Sequence, residues 1–144
     1  MTMAVHYSQE THEWATPQAL YDELCAEFRF DLDPCCTDDN AKCDMYFTVK
    51  EDGLTQPWAP YRVFMNPPYG YRIKFWMKKA YEESQRGAVV VCLVPSRTDT
   101  AWWHDYAMKG EVRFIRGRLY FCDGDGRSPF PNAIVIFRGV PSGR

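Results

Sequence analysis

The run Ala88-Val89-Val90-Val91-Cys92-Leu93-Val94 most constrains how this 144-residue chain folds. Seven successive apolar residues leave no polar face, and the valines favour extended backbone. Such a strand needs cover on both sides, as in the interior of a mainly parallel sheet. The run is well short of the roughly 18–20 apolar residues of a membrane span. Met1 to Glu10 lacks the charged start and apolar stretch of a signal peptide. These features predict a cytoplasmic protein with no membrane partner.

The flanking pattern supplies helices for that sheet. Thr16-Pro17 reads as a helix start, with a hydroxyl N-cap followed by proline. Leu20, Leu24 and Phe28 recur every fourth residue, predicting an amphipathic helix over 17–27. Phe28, Phe30 and Leu32 then alternate with polar residues, as in a strand ending at Asp33-Pro34. Further strands are predicted at Met45–Val49 and Tyr61–Met65. Ile73, Trp76, Met77, Ala80 and Tyr81 have helical spacing up to Gly87. Thr98 is placed to cap a helix over 99–109. Val112–Ile115, Leu119–Cys122 and Ala133–Phe137 read as three last strands, with Asp123-Gly124-Asp125-Gly126 as a turn. The order predicts an α/β fold. It has a mostly parallel sheet, helices on both faces and an antiparallel C-terminal strand pair. Residues 1–13 read as a flexible arm, 14–140 as a single domain and 141–144 as a tail.

The net charge of −2 hides a division. Residues 1–60 carry 3 basic and 12 acidic side chains, and residues 61–144 carry 14 basic and 7 acidic. Two surfaces with different partners are expected. Aromatics make up 16% of the chain, which excludes a disordered, solvating chain. They are enough for a rich core or a stacking surface. The six cysteines contain no Cys-x-x-Cys pair, so they read as small apolar residues, with no metal site.

In open α/β sheets, ligands sit beyond the carboxyl ends of the strands. Two such ends are unusual here: Asp33-Pro34-Cys35 and Asn66-Pro67-Pro68-Tyr69. The prolines fix φ, remove two N–H donors and push the preceding residues to extended backbone. The result is a rigid, acceptor-rich surface. The Asn66 side-chain oxygen and the Pro67 carbonyl suit both protons of one exocyclic amino group, and Tyr69 suits the attached ring. An aromatic amine is a poor nucleophile because its lone pair is delocalised. Two fixed acceptors would stabilise the positive charge that develops on its nitrogen. A plain turn ending a strand is the competing reading.

Five stretches in order carry a resemblance to a known family. They are Trp14-Ala15-Thr16-Pro17, Asp31-Leu32-Asp33-Pro34-Cys35, Asp52-Gly53-Leu54 with Trp58, Asn66-Pro67-Pro68-Tyr69 and Gly117-Arg118-Leu119-Tyr120-Phe121. Together they resemble the phage-type DNA N6-adenine methyltransferases of the Dam group. The resemblance implies an enzyme of minimal Rossmann-like methyltransferase fold that transfers a methyl group from S-adenosylmethionine to the N6 of adenine in DNA, site-specifically. It implies a donor site in the acidic front half. Trp14, Thr16 and Pro17 would cover the methionine end. Asp33, Pro34 and Cys35 would bind its amino-acid part. Glu51 or Asp52 would hold the ribose, and Trp58 would flank the adenine. Asn66, Pro67, Pro68 and Tyr69 would be catalytic. One departure from the wider superfamily is plain: the first strand is followed by no glycine until Gly53.

Asn66 stands only 32 positions after Pro34, which leaves no room there for a recognition domain. Loops after Tyr69 or a second subunit are then expected to read the DNA, and a homodimer is compatible with so short a chain. Arg72, Lys74, Arg97, Arg116 and Arg118 are candidates for double-stranded DNA, with Arg113 and Arg127 nearby. A methyltransferase for RNA or protein glutamine, or an inactive DNA-binding relative, would carry the same tetrapeptide.

Overall fold

The computed structural model describes residues 15–120 and 128–139. The arm over 1–13, Trp14, Phe121 and Cys122 of the expected 119–122 strand, the 123–126 turn, Arg127 and the tail lie outside the described residues. The described residues form three α-helices: α1 (Gln18–Phe28), α2 (Ile73–Gln85) and α3 (Ala101–Asp105). The strands are β1 (Leu32–Asp33), β2 (Met45–Tyr46), β3 (Arg62–Met65), β4 (Val89–Pro95), β5 (Glu111–Phe114) and β6 (Asn132–Phe137). None of these helices is long and apolar enough to cross a membrane.

The sheet order is β2-β1-β3-β4-β6-β5. β1, β2, β3 and β4 pair in parallel, while β6 runs antiparallel to both β4 and β5. The apolar run therefore becomes the strand bonded to β3 on one edge and β6 on the other. Register aligns Phe64 with Val91 and Val90 with Phe137, so Phe64 and Phe137 face opposite sides. Tyr21 of α1 meets Phe64 edge-on at 5.2 Å. Tyr81 of α2 meets Phe137 at 5.9 Å, and Trp103 of α3 stacks on Phe114 at 6.4 Å. Helices thus cover both faces, as the apolar run requires.

Three local expectations are corrected. Thr16 does not cap α1: the N-cap is Pro17, which makes no side-chain cap bond. α3 is capped by Thr100, whose hydroxyl accepts from the Trp103 amide, and not by Thr98. It stops at Asp105 and a 3-10 turn follows over Ala107–Lys109. β6 pairs antiparallel with both β4 and β5, and of the expected 119–122 strand Tyr120 forms a β-bridge while Phe121 and Cys122 lie outside the described residues.

A buried glutamate joins α2 to the start of β3. Glu83 is only 2% exposed. Its carboxylate accepts from the backbone N–H groups of Trp58 at 2.7 Å and Ala59 at 3.1 Å. Lys79 and Arg86 pair with its other oxygen at 3.3 and 2.6 Å. Burial works against its charge, but the two amides and Lys79 outweigh this and hold the carboxyl below its ordinary pKa. Removing it strands two buried donors and a cation. We expect Glu83→Ala to cost about 3 kcal/mol in urea unfolding. A depressed folded pKa stabilises above the unfolded value. This contribution should therefore hold at neutral pH and fade as pH drops below about 4.5.

Candidate functional site

A cavity of about 680 Å³ opens at the carboxyl ends of β1 and β3. Its polar wall includes Asp33, Asp52 and Asn66, and its apolar wall includes Phe47, Phe64 and Trp76. Asp33 ends β1 and is 3% exposed. Its carboxylate accepts from the Cys35 amide at 3.3 Å and the Lys42 amide at 3.0 Å. One side chain thereby ties both ends of the loop from β1 towards β2. Burial dominates and pushes its pKa up to about 6, against the amides of Lys42 and Cys35. Among the described residues no ion pair reaches Asp33. Above pH 6 the cavity wall therefore holds a buried negative charge suited to a cationic ligand. The Cys36 thiol lies 3.7 Å from the Asp33 and Phe47 carbonyls as a donor. This bridges β1 to the chain leaving β2.

The missing glycine of the β1 turn has a counterpart in space. A Cβ on Gly53 would stand 2.1 Å from the Pro34 carbonyl oxygen. Gly53 thus lets the 3-10 turn over Gly53–Thr55 press against the end of β1. Asp52 caps that turn, accepting from the Leu54 amide at 3.2 Å. Sequence order hid this contact, because the two residues are far apart in the chain.

Asn66 follows β3 directly. Its amide donates to the Thr16 hydroxyl at 2.8 Å, joining positions 50 residues apart. The hydroxyl expected to cap α1 instead orients Asn66. Asn66, Pro68 and Tyr69 line the cavity, whereas Pro67 is buried and does not. Tyr69 is 2% exposed. Its hydroxyl donates to the Leu93 carbonyl at 3.2 Å and accepts from Asn132 at 3.4 Å. Phe130 meets its ring at 5.4 Å. Burial raises the phenol's pKa far above its ordinary range, so it stays neutral. Asn132 was not singled out in the sequence; only its place at the start of an apolar strand hinted at a role.

The fold brings Thr16, Asp33, Pro34, Cys35, Asp52, Asn66, Pro68, Tyr69 and Arg72 to one cavity. It does not bring Pro17, Glu51 or Trp58 there. Glu51 is exposed, and its carboxylate accepts from the Thr48 amide at 2.7 Å and hydroxyl at 2.8 Å. Those bonds hold its pKa below the ordinary value. Trp58 is fully buried and donates to the Gly53 carbonyl at 2.9 Å. Trp76 stacks on it at 6.2 Å and supplies the indole that does reach the cavity. Trp76 shares the buried face of α2, so helical periodicity marked it only as core.

The candidate cations lie along one edge. β4 ends at Pro95, paired with Asn132, and β5 ends at Phe114, paired with Ala133. The segments carrying Arg97, Arg116 and Arg118 therefore leave the same sheet edge as Asn66. All three are exposed, as are Arg72 and Lys74. Arg97 lies over the Phe130 ring at 5.4 Å. Arg113 departs from the expectation: it holds Glu27 at 2.8 and 2.9 Å and Glu111 at 2.6 Å. It fastens β5 to α1.

Comparison with known proteins adds an independent result. The family described as DNA N-6-adenine-methyltransferase (Dam) matches residues 5–134. A DNA N-6-adenine-methyltransferase of Escherichia phage T1 is 28% identical over 156 aligned positions, covering 90% of this chain and 64% of that protein. One of Haemophilus phage HP1 is 30% identical over 92 positions, covering 62% of this chain and 53% of that protein. The chain thus spans under two-thirds of the length of either relative.

Two outcomes test the cavity wall. A raised folded pKa makes ionisation of Asp33 oppose folding. Its contribution is full below about pH 4 and is lost as pH rises through about 6, a change of about 3 kcal/mol. Urea unfolding of Asp33→Asn should lack that slope between pH 4 and 7; an unchanged slope would refute the assignment. Gly53→Ala should destabilise by roughly 1–3 kcal/mol at every pH, because backbone has to move.

Proposed function

Because the chain belongs to the DNA N-6-adenine-methyltransferase (Dam) family, we propose that it methylates the N6 of adenine in double-stranded DNA. The reading includes a preferred sequence context and S-adenosylmethionine as donor. The observation that carries it is the juxtaposition of Asp33, Asp52, Asn66, Pro68 and Tyr69 around one cavity at the sheet's carboxyl edge.

The residues fit such a donor. It joins cationic groups, a ribose diol and a flat heterocycle. The cavity offers a buried carboxylate, an exposed one at Asp52 and apolar walls of Phe47, Phe64 and Trp76. Thr16, Asp33, Pro34, Cys35 and Asp52 would hold it. When bound, S-adenosylmethionine supplies an electrophilic methyl group on a sulfonium. Asp33 would act through charge and by keeping its loop closed, since two backbone amides already occupy its oxygens.

The protein's other task is to make the adenine amine reactive. Asn66, oriented by Thr16, would accept one N–H bond, and the Pro67 carbonyl, which does not line the cavity here, would have to turn towards it to accept the other. They would favour a tetrahedral nitrogen and stabilise its developing charge. No general base is needed before attack, and the neutral Tyr69 does not serve as one. Tyr69 would stack on the base, its ring steadied by β4 and β6 through its hydroxyl. The adenine has to leave the helix to reach this site. Arg72, Lys74, Arg97, Arg116 and Arg118 would neutralise phosphates around it, giving salt-dependent binding.

Labelled methyl transfer to duplex DNA, RNA and protein substrates tests the reading, with DNA expected to be the acceptor. Asn66→Ala should lower transfer by about 100- to 1,000-fold, the scale of losing one preorganised polar contact. Donor affinity by calorimetry should stay within about threefold. Near-native transfer by this variant would refute the proposed site.

A further inference from the structure

The two tyrosines of Tyr69-Gly70-Tyr71 have opposite fates. Tyr69 is buried and pinned by its hydroxyl, whereas Tyr71 is 72% exposed. Both line the same cavity. Gly70 causes the divergence. Its φ of 113 is readily available only to glycine, and its carbonyl accepts from the Ile73 amide at 3.2 Å to start α2. The chain thus turns sharply between a ring directed into the core and a ring left at the rim.

Leaving a large aromatic in water forgoes the gain from its burial. Its neighbours indicate what covers it. Arg72 also lines the cavity, and Lys74 places its ammonium 5.3 Å from the ring of half-exposed Phe75. Arg72 and Lys74 make no ion pair among the described residues. Two exposed cations within three residues of Tyr71, one of them lining the same cavity, favour a polyanion over a cationic donor there. The carboxylates of Asp33 and Asp52 come from a different part of the chain, at the end of β1 and after β2. Exposed rings alternating with cations are the composition that stacks on nucleobases while holding phosphates.

We propose that Tyr71 is a DNA-contacting residue that stacks on a nucleobase next to the extruded adenine. Arg72 and Lys74 hold the flanking phosphates. The inference rests on the function proposed above and extends it. That reading places Tyr69 on the target base; this one assigns Tyr71 to the duplex left behind. An aromatic there compensates for part of the stacking lost when the adenine leaves.

The test compares wild type, Tyr71→Ala and Tyr71→Phe on duplex DNA free of N6-methyladenine. Donor affinity is measured by calorimetry in parallel and also reports correct folding. Tyr71→Ala should raise KM for DNA by roughly ten- to a hundredfold, the scale of one lost base–aromatic stack. Its donor Kd should stay within about twofold. Tyr71→Phe keeps the ring and should recover most of the DNA affinity. An unchanged KM in Tyr71→Ala overturns the proposal while leaving the methyltransferase reading intact. Lost donor affinity with unchanged KM also overturns it and assigns Tyr71 to the donor's wall. Wild-type protein that methylates no DNA removes the underlying reading and this proposal together.

Discussion

The site depends on the way β4 is held. Its residues are hydrogen-bonded to β3 on one edge and β6 on the other, and helices cover both faces. A strand with no solvent-facing side cannot slip register without exposing valines or burying polar groups. That rigidity passes to the two ends that matter. β3 ends at Met65 in register with Cys92, so Asn66 leaves the sheet at a fixed height. The Leu93 carbonyl of β4 receives the Tyr69 hydroxyl. The acceptor tetrapeptide is thus anchored by strand pairing at its start and by a side-chain bond at its end.

Much of this was legible from residue patterns, because patterns report burial. The apolar run specified an interior strand, and spacing of four marked α1 and the apolar face of α2. The pair Asn66-Pro67 stood out because strand ends rarely combine two prolines with an amide. What stayed hidden were contacts between distant segments. Gly53 against Pro34, Thr16 on Asn66, and Glu83 under Trp58 join elements that only the folded topology brings together. Trp58 and Trp76 show the same limit. Both are large aromatics, and nothing local indicates which is buried and which reaches the cavity. Thr16 is instructive as well. A hydroxyl before proline suits a helix cap, yet a tertiary partner took it.

The lack of a glycine-rich turn after β1 also finds a physical account. In a glycine-rich turn, the loop itself makes room for backbone to approach closely. Here Asp33 closes the loop with two backbone bonds, and the close approach is made by Gly53 from the segment after β2. The same compactness is reached with the small residue on the other partner. The cost is a buried carboxylate, and its raised pKa makes the cavity's charge sensitive to pH near 6.

Charge is distributed with the same logic. Among the described residues, the ion pairs gather towards the amino edge of the parallel strands. Arg62 with Asp31 lies where β3 begins, and Glu83 with Lys79 and Arg86 lies at the end of α2. Arg113 and Arg138 meet Glu27 and Glu111 where α1 ends and β5 starts. Arg113 ties β5 to α1, while Arg62 and Arg138 join neighbouring strand ends. At the opposite edge, Arg72, Arg97, Arg116 and Arg118 make no ion pair among the described residues. Surface pairs are individually weak, so the segregation matters less for stability than for the field it leaves. Among the described residues, cations without carboxylate partners on the edge that carries Asn66 would border an acidic cavity with positive charge. A polyanion approaching that edge is attracted by the border, while a small cation is favoured beside Asp33 and Asp52. One sheet edge could therefore receive two ligands of opposite charge side by side, as the methyl transfer proposed above would require.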